Sequence, residues 1–181
     1  GLPLEKRGWN NDTRGAFIMP LVMGKLVGLT EEQMVNAVGT CGSHNLVLGI
    51  LDATGEEYTM TKNLRFPLVN YGAILATLLA QKGLTGPPRV IEGHGGFIEA
   101  VVRGDFDVNK LTSGGDFSIL STALKSVTAD YTTHGHLTAT LTLVKQHDIK
   151  PEDVVSVKVT TGTRCAWHTG DPVKKYPKNK E

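Results

Sequence analysis

Ala16-Phe17-Ile18-Met19-Pro20-Leu21-Val22-Met23-Gly24-Lys25-Leu26-Val27-Gly28-Leu29-Thr30-Glu31-Glu32-Gln33 is the stretch on which the fold turns. From Ala16 to Leu26 apolar side chains point nearly all round, as on a helix buried on most sides. Pro20 either kinks that helix or marks a later start. Gly28 supplies a C-cap, since only glycine enters the left-handed region without a steric penalty. Thr30 and Gln33 then form a capping box, in which each side chain satisfies a main-chain N–H of the other. Met34, Val38, Cys41 and His44 or Asn45 follow at helical spacing. The chain therefore opens with two packed helices.

Working outward, Asp52 to Glu57 is a polar loop, and Tyr58 to Asn63 leads into a third helix over 67–81. That helix is expected to bury Val69, Ala73, Ala76, Leu79 and Ala80, and to stop at Gly83. Its small residues predict close helix–helix contact. Gly86-Pro87-Pro88 is a turn, and 97–102 reads as a short amphipathic helix. Character changes after Gly114. Residues 116–126 are mixed, and 133–147 is helical with a stripe of Leu137, Leu141 and Val144. Val155 to Thr160 alternates strictly, the pattern of a strand with one wet face. The expected fold is mainly α with an α+β portion: residues 1–117 in an all-helical part, 118–181 in a smaller α+β part.

Composition excludes several classes. The chain has 181 residues, 40% of them apolar, and a formal net charge of +1. That suits one domain, or one and part of a second, with a real core and no nucleic-acid footprint. The longest apolar stretch is broken by Pro20, Gly24, Lys25 and Gly28, too short and interrupted to span a bilayer. No signal-peptide pattern is present. Cys41 and Cys165 match no metal-ligand spacing and read as reduced thiols of an intracellular, cytoplasmic protein. Gly93, Gly95 and Gly96 lack the strand and lysine of a phosphate loop, so nucleotide binding is rejected. The opening Gly1-Leu2-Pro3 and the lysine-rich close fit a free tail or a cut from a longer chain equally.

A family resemblance rests on an ordered set of motifs. Gly8-Trp9-Asn10-Asn11-Asp12-Thr13-Arg14-Gly15 and Gly24-Lys25-Leu26-Val27-Gly28-Leu29-Thr30 come first. Met60-Thr61-Lys62-Asn63-Leu64, then Leu78-Leu79-Ala80-Gln81-Lys82-Gly83-Leu84-Thr85-Gly86-Pro87, then Glu92-Gly93 and Gly96-Phe97 follow in order. Lys125, His134-Gly135-His136 and Lys150-Pro151-Glu152-Asp153-Val154 complete the set. Together they resemble the MmgE/PrpD family, which includes 2-methylcitrate dehydratase. The resemblance implies a helical domain with a smaller α+β lid, a homodimer, and a longer chain than this one. It implies dehydration of a small 2-hydroxy di- or tricarboxylate without metal or other cofactor; the isolated piece is then expected to be inactive. A decarboxylase or epimerase of a small polycarboxylate is the enzyme alternative, and a bare interaction module the other.

Such chemistry needs cations for the carboxylates, a base for the carbon acid and an acid for the leaving oxygen. By the resemblance Lys62 lies in the active site and Lys125 on the lid side, with His134 as acid or base. His136, Asn10 and Asn11 are candidate substrate contacts. The plain alternative for each lysine is a solvated surface cation. Zinc at His134 and His136 is disfavoured, because helical positions two apart point nearly oppositely and no third ligand has metal spacing. Many family members carry a catalytic histidine where this chain has Asn10-Asn11. An amide binds but cannot carry a proton near neutral pH, and it could equally be a helix-entry cap. His168-Thr169-Gly170-Asp171 could line a cleft or form a plain turn.

Overall fold

Pro20 does not delay the first helix. In the computed structural model α1 runs Gly15–Val27 with Pro20 inside it, side chain buried, at the cost of one main-chain bond. Gly28 ends it with φ 72°, in the left-handed region. The structure describes residues 4–115 and 117–175; Asp116 and both ends, 1–3 and 176–181, lie outside the described residues. The capping box is present: Gln33 N donates to Thr30 Oγ1 at 3.2 Å, and Thr30 N donates to Gln33 Oε1 at 3.0 Å. Behind it stands α2, Glu31–His44. The third helix, α3, spans Arg65–Gln81, and the chain reverses at Gly83 with φ 95°.

These three helices pack pairwise around a core of Ala16, Phe17, Cys41, Val47, Val69, Ala73 and Ala76, with a smaller cluster of Leu29, Ala37 and Ala80 beside it. Small residues let the axes approach. A Cβ on Gly42 would stand 2.5 Å from the Phe17 ring, so that ring lies directly on α2. Phe97 stacks obliquely on Phe17, centroids 4.7 Å apart. The segment expected as a short helix is a π-helical turn, Ile98–Val102, which seals the core with Val101 and Val102.

Three expectations need correcting. Among the described residues α1 is covered on one side only: Ile18, Leu21, Val22 and Leu26 are exposed. Leu79, expected inside, is also exposed, because α1 and α2 both pack on the face of α3 that carries Val69, Ala73, Ala76 and Ala80. And 155–160 forms no helix and joins no sheet; no sheet is formed among the described residues. A strand exists only through its ladder, and no described segment lies alongside to supply one. Val155 is 98% exposed.

The second part of the chain is helical and open. It contains α4, His134–His147, α5, Thr163–Thr169, and the short α6, Pro172–Lys175. The stripe of Leu137, Leu141 and Val144 forms on α4 but stays exposed.

Candidate functional site

Arg65 opens α3 and fixes two segments that precede it. Its Nη1 donates to Asp52 Oδ2 at 3.3 Å. Its Nε lies 3.1 Å from Asp12 Oδ2, at an angle that makes an ion pair rather than a directed hydrogen bond. The guanidinium side chain is only 20% exposed, so both pairings are partly shielded from water. Asp52 Oδ1 in turn accepts from the Tyr58 hydroxyl at 2.5 Å. Burial pushes the Tyr58 phenol well above the tyrosine range; the hydrogen bond and charge of Asp52 and the charge of Asp130 add to this, and Arg65 opposes it.

Lys62 stands on this network. It lies in the 3-10 turn Met60–Leu64 immediately before α3, half-buried, with Nζ 3.8 Å from the centre of the Tyr58 ring. An ammonium over a ring face is attracted by the negative face of the ring.

Asn10 serves the same network from below. It is buried, and its side-chain oxygen accepts from Asp12 N at 3.0 Å, capping the 3-10 turn Asn11–Arg14. It therefore sets the carboxylate that meets Arg65. Asn11 is exposed and donates to Glu5.

The turn into α4 brings the remaining polar groups. Asp130 Oδ1 accepts from Thr132 N at 3.0 Å and from the Thr132 hydroxyl at 2.6 Å. Its Oδ2 lies 3.4 Å from His168 Nε2, on the last turn of α5. Asp171 Oδ2 accepts from Gly55 N at 2.7 Å and ties this end of the chain to the 52–57 loop. The stretch 168–171 is thus a helix end, with His168 on Asp130 and Asp171 reaching back to the 52–57 loop. His134 packs its ring against Tyr131, centroids 5.5 Å apart, and its buried Nε2 has no hydrogen-bond partner among the described residues. His136 faces elsewhere, with Nδ1 4.0 Å from Cys165 Sγ. Lys125 is exposed in an irregular segment.

So the fold gathers Lys62 with Tyr58, Asp52, Arg65 and Asp12, and places Asp130 within electrostatic range of Tyr58. Lys125 is not drawn into these contacts. A hollow of about 220 Å³ is lined by Phe17, Leu46, Val90, His94 and Phe97 among others, and contains none of the sequence-derived candidates. Among the described residues no three His, Cys, Asp or Glu side chains are arranged to hold a metal ion. No described helix is long and apolar enough to cross a membrane. Sequence reading overlooked Arg65 and Asp130, whose ion pairs with Asp12 and His168 join segments far apart in sequence.

The sequence model of the MmgE/PrpD N-terminal domain matches residues 1–109. No curated relative matches the chain significantly. The match covers the three packed helices, the Lys62 turn and the whole Asp12–Arg65–Asp52 network, and through it the chain belongs to the MmgE/PrpD family, which includes lyases and dehydratases.

Proposed function

We propose that the chain carries the site of a metal-independent hydro-lyase that dehydrates a small 2-hydroxy di- or tricarboxylate such as 2-methylcitrate. One observation supports this most: the Lys62 ammonium, seated on Tyr58 and backed by the Arg65–Asp52 pair, is a cation fixed in position before any substrate arrives. Such preorganisation is what stabilises charge developing beside a carboxylate.

In this reading Lys62 holds a substrate carboxylate and Lys125 approaches as a second cation. His134 moves a proton through its buried Nε2, and His136 and Asn11 touch the substrate at its edges. Asn10 acts through Asp12, because its side-chain oxygen is already engaged there. Residues 118–181 belong to a smaller α+β lid. The enzyme is a cytoplasmic homodimer, and the exposed apolar sides of α1 and α3 support self-association.

A second reading, an interaction module without turnover, is favoured by the 220 Å³ hollow lying apart from every assigned residue. The intact gene product decides between them when offered 2-methylcitrate, citrate and cis-aconitate with products separated chromatographically. A lyase of this class yields the alkene from a hydroxy acid, whereas a decarboxylase releases carbon dioxide and an epimerase conserves mass. Lys62→Ala is expected to lower kcat/KM at least ~100-fold, the loss typical of a charge-stabilising donor. An unchanged value removes Lys62 from the site, and no turnover on all three acids removes the hydro-lyase.

A further inference from the structure

Removing a proton beside a carboxylate requires a base, and Asn10 and Asn11 are amides that cannot supply one near neutral pH. The chain has six histidines. His44 turns back on the Thr40 carbonyl of its own helix, His94 pairs with Glu99 at the surface, and His147 is exposed at the end of α4. His136 faces Cys165, and His134 has its own part in moving a proton. His168 differs from all of these. It is half-buried on the last turn of α5, with Nε2 3.4 Å from Asp130 Oδ2. Asp130 is itself fixed, since its Oδ1 accepts from both the N–H and the hydroxyl of Thr132. Those two bonds favour the carboxylate form, so Asp130 orients the imidazole and does not itself take the proton. Two separate ties seat this pair beside the Lys62 turn. Asp171, three residues beyond His168, accepts from Gly55 N at 2.7 Å. Asp130 acts electrostatically on Tyr58, whose ring carries Lys62.

We propose that His168 is the base of the reaction, with Asp130 as its positioning residue. This assignment rests on the hydro-lyase reading. His168 takes the proton from the carbon beside the carboxylate held by Lys62, and the C–H electron pair becomes the alkene π bond as the C–O bond breaks. The departing oxygen takes a proton from His134 Nε2 and leaves as water. Asp130 stabilises the imidazolium formed at His168, and exchange with solvent returns both rings to their starting forms. The turn Tyr131–Thr133 is all that separates Asp130 from His134, so giving and accepting the proton hang on one short segment.

The test is steady-state turnover of 2-methylcitrate, citrate and cis-aconitate by the intact gene product and its variants, with thermal melting of each. His168→Ala and His168→Gln are each expected to lower kcat at least ~100-fold with KM little changed. Added imidazole restores turnover to His168→Ala in proportion to its free-base fraction as pH is varied, an effect that a structural role does not produce. Asp130→Asn lowers kcat, and Asp130→Glu recovers part of it. Unimpaired kcat in both His168 variants, with Lys62→Ala still impaired, overturns the base assignment and leaves the hydro-lyase standing. A loss in His168→Ala that imidazole does not restore overturns it as well. Unchanged kcat in Asp130→Asn overturns the positioning role. Turnover of none of the three acids by the unmodified protein removes the hydro-lyase and this assignment together.

Discussion

Arg65 organises the polar network, because one guanidinium answers two carboxylates, Asp12 and Asp52, drawn from segments on either side of α1 and α2. Replacing it with methionine keeps most of the apolar stem and removes the charge. Two shielded carboxylates are then left facing each other, and Arg65→Met is expected to cost about 2 kcal/mol in denaturant unfolding. A loss no larger than that of an exposed lysine variant contradicts the bridging role. Tyr58 gives the pH test. Its folded-state pKa is raised above the unfolded value, so the proton is held more tightly in the native chain. Its contribution to stability is whole below the ordinary tyrosine range and drains away as pH climbs toward the raised value. In an ultraviolet titration of the folded chain one phenol is expected to ionise after the others, and Tyr58→Phe removes that late step. Lys62 could be picked out beforehand because a resemblance pointed to its turn. Arg65 and Asp130 could not, since a salt bridge between loops far apart in sequence leaves no local pattern.

Helices here were legible where their ends are local. Gly28 and the Thr30–Gln33 box announce themselves within a few residues, and both are present. Thr30→Ala is expected to cost about 1 kcal/mol in thermal or denaturant unfolding, because one N–H of the first turn loses its acceptor. Gly42→Ala is the sharper change: the added Cβ meets the Phe17 ring, which is itself held by Phe97. About 1–3 kcal/mol is expected from such overpacking, against a few tenths for an alanine on an exposed helix face. What periodicity could not tell was how much of each helix is covered. It identified α1 and α3 as apolar, but which sides face neighbours depends on the packing partners. Alternation over 155–160 likewise describes what the segment can pair with, not whether a partner strand lies beside it.

The chain as a whole is unevenly consolidated. Every buried residue among those described lies at or before Val102, whereas α4 and α5 are held chiefly by polar contacts such as Asp130–His168 and Asp171–Gly55. Local stability follows buried apolar contact. Amides of α1–α3 are therefore expected to exchange slowest with deuterium, those of α4 at least ~100-fold faster, and limited proteolysis to cut between the two parts first. Uniform protection along the chain contradicts this division. The family assignment and the position of the Lys62 network meet in the same 109 residues, so the claim of a preorganised carboxylate-holding cation can be tested there directly. The deciding measurement is a crystal structure of the chain with bound citrate. The account predicts a carboxylate oxygen about 2.8 Å from Lys62 Nζ, with that ammonium still over the Tyr58 ring. Citrate seated elsewhere, with Lys62 directed away from it into solvent, contradicts the account.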